Sequence, residues 1–309
     1  MTKSFYTLTE QHTLKSEGQQ LSRAVRALAL GAALIATATA HAGSFVLAYT
    51  DGQLGQSYTN LQAYYQNLSA VGLGSAYALS KAGTVDASGV TSTTNSIVTF
   101  ATSVPLPMYP TVSDYSNSYG GFDPAISKAI INSPTLSAGA MANLVALTKS
   151  KGFAGVDLDF EGVQPADKAA YWAFVLALAT SLHANGMKLI VSVPAKTSDN
   201  APDHLNGYDY TALGAPVDYF QLMTYDQVGP GWSSTGFNSS IWPGPESGLN
   251  WQKALLSHAV TRVPANKMLA GLPSYGYDYS TSKTVYWSAY ARTIADHNAT
   301  AHLDAVSAM

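Results

Sequence analysis

The sequence contains no cysteine among its 309 residues. That excludes a disulfide framework, so a hydrophobic core must hold the fold. Charge is also scarce. Asp, Glu, Lys and Arg make up 11% of the chain, against about 25% in an ordinary soluble domain. The 16 basic and 19 acidic residues leave a net charge of −3, and no basic cluster occurs. Nucleic acid and anionic membrane surfaces are therefore poor partners. Apolar runs long enough to span a bilayer are missing throughout. The seven histidines form no metal-spaced cluster with acids and pair with no nucleophile; His183 and His258 fall on helical patterns. No metal and no cofactor are expected.

The N-terminus carries a processing pattern. Arg23 and Arg26 precede the apolar stretch "ALALGAALIATATA" from Ala27 to Ala40, and Ala40-His41-Ala42 fits the small-x-small rule of signal peptidase. Residues 1–42 therefore read as a secretory signal peptide with a long polar lead. Residues 43–309 read as the mature domain, exported to the periplasm, cell envelope or medium. A monomer without stable membrane insertion is expected.

Downstream, short β-branched or aromatic runs alternate with helical patterns. The runs are "SFVLAY" (44–49), "VPLPMYPTV" (104–112), "FAGVDLDF" (153–160), "MKLIVSVP" (187–194), "VDYFQLMTY" (217–225) and "KMLAGLPSY" (267–275), with a weaker "VGLGSAYALS" (71–80). Between them lie helical stretches at 136–152, 166–186 and 250–264, stopped at Gly152, Gly186 and near Pro264. Strands alternating with helices at this spacing predict a parallel sheet. The nearly continuous apolar character of the strands predicts burial on both faces. Seven such strands favour an α/β fold of the (β/α)8 TIM-barrel type, truncated before its eighth strand.

The unusual expenditure of charge is "GFAGVDLDFEGV" (152–163), where Asp157, Asp159 and Glu161 fall at every second position. In a strand these three project to one side, with Val156, Leu158 and Phe160 on the other. On the fourth strand of a barrel the acids face the interior, and Glu161 reaches the C-terminal mouth, where such barrels keep their active sites. Like charges in a poorly solvated interior repel, so some must hold protons. A carboxyl that keeps its proton near neutrality is a general acid. Glycoside hydrolysis also needs a nucleophile. Asp159 lies on the same side as Glu161, which leaves either Asp226, in "MTYDQ" at the end of the sixth strand, or the substrate itself.

These residues carry a resemblance. "AGVDLDFE" (154–161) resembles the D-G-x-D-x-D-x-E signature of glycoside hydrolase family 18, keeping Gly155, Asp157, Asp159 and Glu161 but with Ala154 in place of the first Asp. "FQLMTYDQVGPGW" (220–232) is similar to the family's sixth-strand M-x-Y-D motif, with Met223, Tyr225 and Asp226. "TVSDYSNSYGGFD" and "MLAGLPSYGYDY" look like its third- and seventh-strand regions, in a style closest to bacterial members related to spore-cortex and peptidoglycan hydrolases. The resemblance implies cleavage of β-1,4 bonds at N-acetylglucosamine residues of chitin, chitooligosaccharide or peptidoglycan, by retaining, substrate-assisted catalysis. It implies that Glu161 protonates the glycosidic oxygen, that Asp159, supported by Asp157, orients the acetamido group, that Tyr225 donates to its carbonyl, and that Asp226 holds the sugar. The alternative is an inactive, lectin-like barrel of the same family that binds these glycans.

Weaker signals are aromatic. Trp232 and Trp242 flank the loop "GPGWSSTGFNSSIWPGPESG" beside the expected mouth, where rings stack on sugar faces. Tyr275 and Tyr277 follow the seventh strand within reach of the cleft. Trp172, inside an apolar helix, and Trp251 are expected in the core.

Overall fold

The computed structural model describes residues 45–200, 203–233 and 244–300. Residues 1–42, where the signal peptide is expected, Trp242 and most of its loop lie outside them.

Seven parallel strands form the central sheet in chain order. They are β1 (Leu47–Asp51), β2 (Ala70–Leu79), β3 (Met108–Ser113), β4 (Gly155–Asp159), β5 (Lys188–Pro194), β6 (Tyr219–Met223) and β7 (Met268–Ala270). Each pairs in parallel with the next, so each connection must cross over, and helices make the crossings. These are α1 (Gly55–Tyr64), α2 (Ser92–Ser103), α3 (Pro124–Ile131), α4 (Pro134–Lys151), α5 (Lys168–His183), α6 (Tyr210–Gly214) and α7 (Leu249–Ala259), with α8 (Trp287–Asp296) after β7. This is a (β/α)-barrel architecture with seven barrel strands among the described residues. The sheet curls strongly, because Tyr49 on β1 hydrogen-bonds Asp157 on β4 and Gln221 on β6.

The helix signals act as their chemistry dictates. Ser133 caps α4, its hydroxyl accepting from the Leu136 N–H, with Pro134 in the first turn. Gly152 ends that helix at φ 67°, in the left-handed region. The sheet's outer face meets the helices in an apolar core. Val156, Leu158 and Phe160 are fully buried, and the Phe160 ring stacks on Tyr171 and Phe174 of α5.

One faint strand signal proves strong, and two expectations need correction. The weakest strand signal, around 71–80, is the longest strand. Gly72, Gly74 and Ser75 dilute its apolar pattern, and a register shift between Leu73 and Tyr77 bulges it, with Ser75 at φ 56°. β3 begins at Met108, not near 104, because α2 runs to Ser103. Only Met268–Ala270 of the seventh run pair in the sheet, while Tyr275–Asp278 turn away into a hairpin with Lys283–Tyr286.

Trp172 also departs from its core assignment. It is 40% exposed and lines a shallow groove with Pro165, Ala169 and Ala212. The fully buried positions of α5 are Tyr171, Val175, Leu178 and Leu182, a 3–4 spacing that leaves residue 172 on the helix flank. Trp251 packs against the core as expected.

Candidate active site

Strand alternation puts the acids inside. Val156 and Leu158 face the helices, so Asp157 and Asp159 face the sheet's concave side. Asp157 is 1% exposed and lies in a polar layer drawn from four other strands. Its Oδ1 accepts from Ser192 Oγ of β5 at 2.8 Å. Its Oδ2 accepts from the Tyr49 hydroxyl at 2.8 Å and from Thr111 Oγ1 of β3 at 3.2 Å. Gln221 of β6 accepts from both Ser192 and Tyr49. Burial pushes the Asp157 carboxyl up to about 6 even against these three donors.

The Tyr49 ring packs against Gly72 of β2, where an added Cβ would fall 2.4 Å from Tyr49 Cδ1. Only a bare backbone at 72 lets the phenol reach Asp157.

Asp159 is the next acid toward the mouth. Burial, then the charges of Glu161, Asp157 and Asp114, hold its carboxyl well above the usual carboxylate range. Its Oδ1 is buried and has no hydrogen-bond partner among the described residues, an arrangement that costs about 1–3 kcal/mol. Asp159 also lines a cleft of about 500 Å³, walled by Ser75, Tyr77, Thr111, Ser113 and Tyr115.

Glu161 stands two residues beyond β4, partly exposed where Asp157 is sealed. Burial first, then the charges of Asp114 and Asp226, push its carboxyl up to about 7. A carboxyl poised there can deliver a proton near neutrality. Asp114, one residue past β3, is fully buried, and its two oxygens accept the backbone N–H groups of Glu161 and Gly162, each at 3.0 Å.

The β6 end supplies the opposite rim. Met223 shares the inner face with Gln221 two residues before it. Tyr225 follows, its hydroxyl 3.5 Å from Gln221 Nε2, and burial together with the Asp159, Asp157 and Glu161 charges raises its phenol. The Tyr225 ring packs on Gly271, where a Cβ would lie 2.5 Å from Cε1.

Asp226 takes the left-handed conformation, φ 58°, unusual for a residue with a side chain. Three groups hold it there. Its N–H donates to Glu246 Oε1 at 2.7 Å, and its Oδ1 accepts from the Tyr275 hydroxyl at 2.8 Å and from Tyr277. Burial pushes Glu246 up to about 7. Tyr275 thus spends a hydroxyl contact on Asp226.

Trp232 begins the two-residue strand Trp232–Ser233, paired with Val228–Gly229. Trp242 lies outside the described residues. Among those residues no group of three or more His and acidic side chains converges on a metal-sized site.

The structure therefore gathers Asp157, Asp159, Glu161, Tyr225 and Asp226 into one electrostatically coupled group. Asp114, Tyr49, Gln221, Ser192 and Glu246 escaped the sequence reading. A signal existed for two of them: Tyr49 and Asp114 both stand at the C-terminal ends of apolar strand runs, the position where barrel chemistry collects.

Comparison with known proteins agrees with this geometry. The sequence profile of glycosyl hydrolases family 18 matches residues 111–305. The uncharacterized glycosylase YvbX of Bacillus subtilis is 30% identical over 257 residues, covering 81% of this chain and 70% of that protein. The cortical fragment-lytic enzyme of the same organism is 27% identical over 53% of this chain, which spans only 36% of that enzyme's length. The crystal structure of a class V chitinase from Pseudomonas fluorescens Pf-5 superposes with a TM-score of 0.82 at 60% identity, covering 85% of this chain and 78% of that one.

Proposed function

This chain belongs to the family 18 glycosyl hydrolases, and we propose that it cleaves β-1,4 bonds at N-acetylglucosamine residues of chitin-type oligosaccharides, with retention and with the substrate's own acetamido group as nucleophile. The observation that carries the reading is the unpartnered, buried Oδ1 of Asp159 beside the proton-holding Glu161. An acetamido N–H docked on Asp159 would satisfy that oxygen.

The steps balance with the groups present. Glu161 gives its proton to the glycosidic oxygen as the bond to the anomeric carbon breaks. The acetamido carbonyl oxygen attacks the anomeric carbon from the opposite side, forming an oxazolinium ion. Asp159 accepts the acetamido N–H and orients the group. Asp157, fed by three hydroxyl donors, takes up the proton that Asp159 releases, so the pair carries one negative charge throughout. The Tyr225 hydroxyl donates to the acetamido carbonyl oxygen. Asp226, held by Tyr275 and Tyr277, fixes a sugar hydroxyl. Glu161, now ionised, takes a proton from the water that opens the oxazolinium, which restores both acid and anomeric configuration. Met223 contributes to the sugar-facing rim, and Trp232 and Trp242 are proposed as sugar-binding residues on the sequence reading alone.

Chitin-type substrates are favoured by the 60% identity to a class V chitinase, and the cortical fragment-lytic relative makes peptidoglycan the competitor to test. Export on the signal peptide of residues 1–42 is part of the same proposal, since both polymers lie outside the cytoplasm. A reporter fused to this segment should be exported and cleaved after Ala42.

The deciding experiment incubates the chain and its Glu161→Gln variant with N-acetylglucosamine oligomers and with purified peptidoglycan. Wild-type release of β-anomeric products from the oligomers, lost in the variant, supports the reading. Binding without cleavage by the wild type would replace it with the lectin-like alternative. Cleavage of peptidoglycan alone would move the substrate class.

A further inference from the structure

The ladder of β4 ends before its acid begins. Pairing to β3 runs to Asp159 and pairing to β5 to Leu158. Residues 160–163 leave the sheet, and their buried backbone groups need partners elsewhere. Two buried side chains supply them. Asp114 takes the N–H groups of Glu161 and Gly162, one on each carboxylate oxygen. Tyr208 donates its hydroxyl to the Phe160 carbonyl at 2.7 Å and accepts from the Val163 N–H at 3.4 Å.

Position 162 is shaped to this arrangement. A Cβ there would fall 2.7 Å from Asp114 Oδ2 and 2.8 Å from Pro124 Cα, so only glycine admits the carboxylate. Asp114 is anchored in turn, its carbonyl accepting the Asp123 N–H at 2.9 Å and its carboxylate meeting the Ser127 hydroxyl of α3. Both backbone partners are donors, so an acceptor-only carboxylate fits where an amide would turn its NH2 toward one of them.

We propose that Asp114 is a positioning residue for the general acid. Its carboxylate fixes the turn that carries Glu161 and so sets the direction in which the acid presents its proton. The inference rests on the reading of Glu161 as that acid. The groups facing Glu161 are Asp114, Asp159 and Asp226, with the phenols of Tyr208 and Tyr225. Among them Asp114 is the one bonded to the acid's own backbone, and its charge favours the protonated Glu161. A neutral residue at 114 should therefore loosen the acid and let it ionise at lower pH.

The test is the pH profile of kcat and kcat/KM for Asp114→Asn on an N-acetylglucosamine oligomer, with folding followed by thermal denaturation. The expected result is a fall in kcat of roughly 10- to 100-fold, KM within about twofold, and an alkaline limb moved to lower pH. A folded variant with wild-type kcat and an unmoved limb overturns the proposal. So does a loss of kcat that merely tracks the folded fraction with the limb in place. If the variant does not fold, hydrogen exchange on the unaltered chain decides. Protection of the Glu161 and Gly162 amides, which lie outside any ladder, supports the clamp, and exchange at the rate of exposed amides overturns it. Glu161→Gln keeps the two readings apart. If that variant retains wild-type turnover, the hydrolase reading fails; if it is dead while Asp114→Asn behaves as wild type, only the role of Asp114 fails.

Discussion

The hydroxyl of Tyr49 on the first strand donates to Asp157 on the fourth at 2.8 Å, a bond that bridges the concave side of the sheet rather than following its ladder. It supplies one of three hydroxyl donors to a carboxyl with almost no access to water. Tyr49→Phe should destabilise the chain by about 1.5–3 kcal/mol, the range for a hydrogen bond to a charged group. Urea denaturation at pH 7 and at pH 4.5 checks this. The loss should shrink at the lower pH, where Asp157, pushed up to about 6, is already protonated.

The alkaline limb of catalysis should belong to Glu161. Glu161, pushed up to about 7, must hold its proton to act, so kcat/KM should fall as pH rises through that value. Glu161→Gln should lower kcat roughly 10²- to 10⁴-fold, the usual worth of a general acid. A pH–rate series on a chromogenic chitooligosaccharide measures both effects.

Tyr225 should be reachable through its neighbour. Gly271→Ala puts a Cβ 2.5 Å from the Tyr225 ring and forces the phenol out of place. Turnover should drop at least as far as in Tyr225→Phe, where loss of one hydrogen bond predicts about tenfold. Steady-state kinetics of the two single variants and the double variant tests the linkage, with the double expected to be no worse than Gly271→Ala alone.

Stability should decline with rising pH in the acid-to-neutral range. Asp157, Asp159, Glu161 and Glu246 all have carboxyls raised by folding. An unfolded chain releases these protons near pH 4, while the folded chain keeps those of Asp157, Glu161 and Glu246 to about 6 or 7 and holds that of Asp159 well above the ordinary range. The native state therefore binds more protons across that window, and unfolding free energy falls as pH climbs through it. Melting temperatures from pH 4 to 8 should show the slope. Asp159→Asn, which removes one of the four raised carboxyls, should flatten it.

Much of this was legible in sequence because one signal served two purposes. The alternation in 154–161 marks a strand and also aims its acids, so the β4 face and the Glu161 position emerge together. Asp226 and Tyr225 were legible as a motif at a strand end. What escaped was long-range. Asp114 lies 47 residues from Glu161 and Tyr49 lies 108 from Asp157, and no local pattern encodes which distant backbone or carboxyl a side chain will meet. β2 was faint for a physical reason: its small residues exist to make room, and small residues dilute an apolar run. Trp172 was misplaced because an apolar helix says little about which flank turns outward at its first turns.

Gly72 makes two distant parts of the chain hereditary companions. A phenol at 49 demands a hydrogen at 72, and any larger group at 72 would evict the phenol and strip Asp157 of a donor without touching either residue. A lineage that drifts at position 72 would thus forfeit part of its carboxyl circuitry while its acidic signature still looked intact.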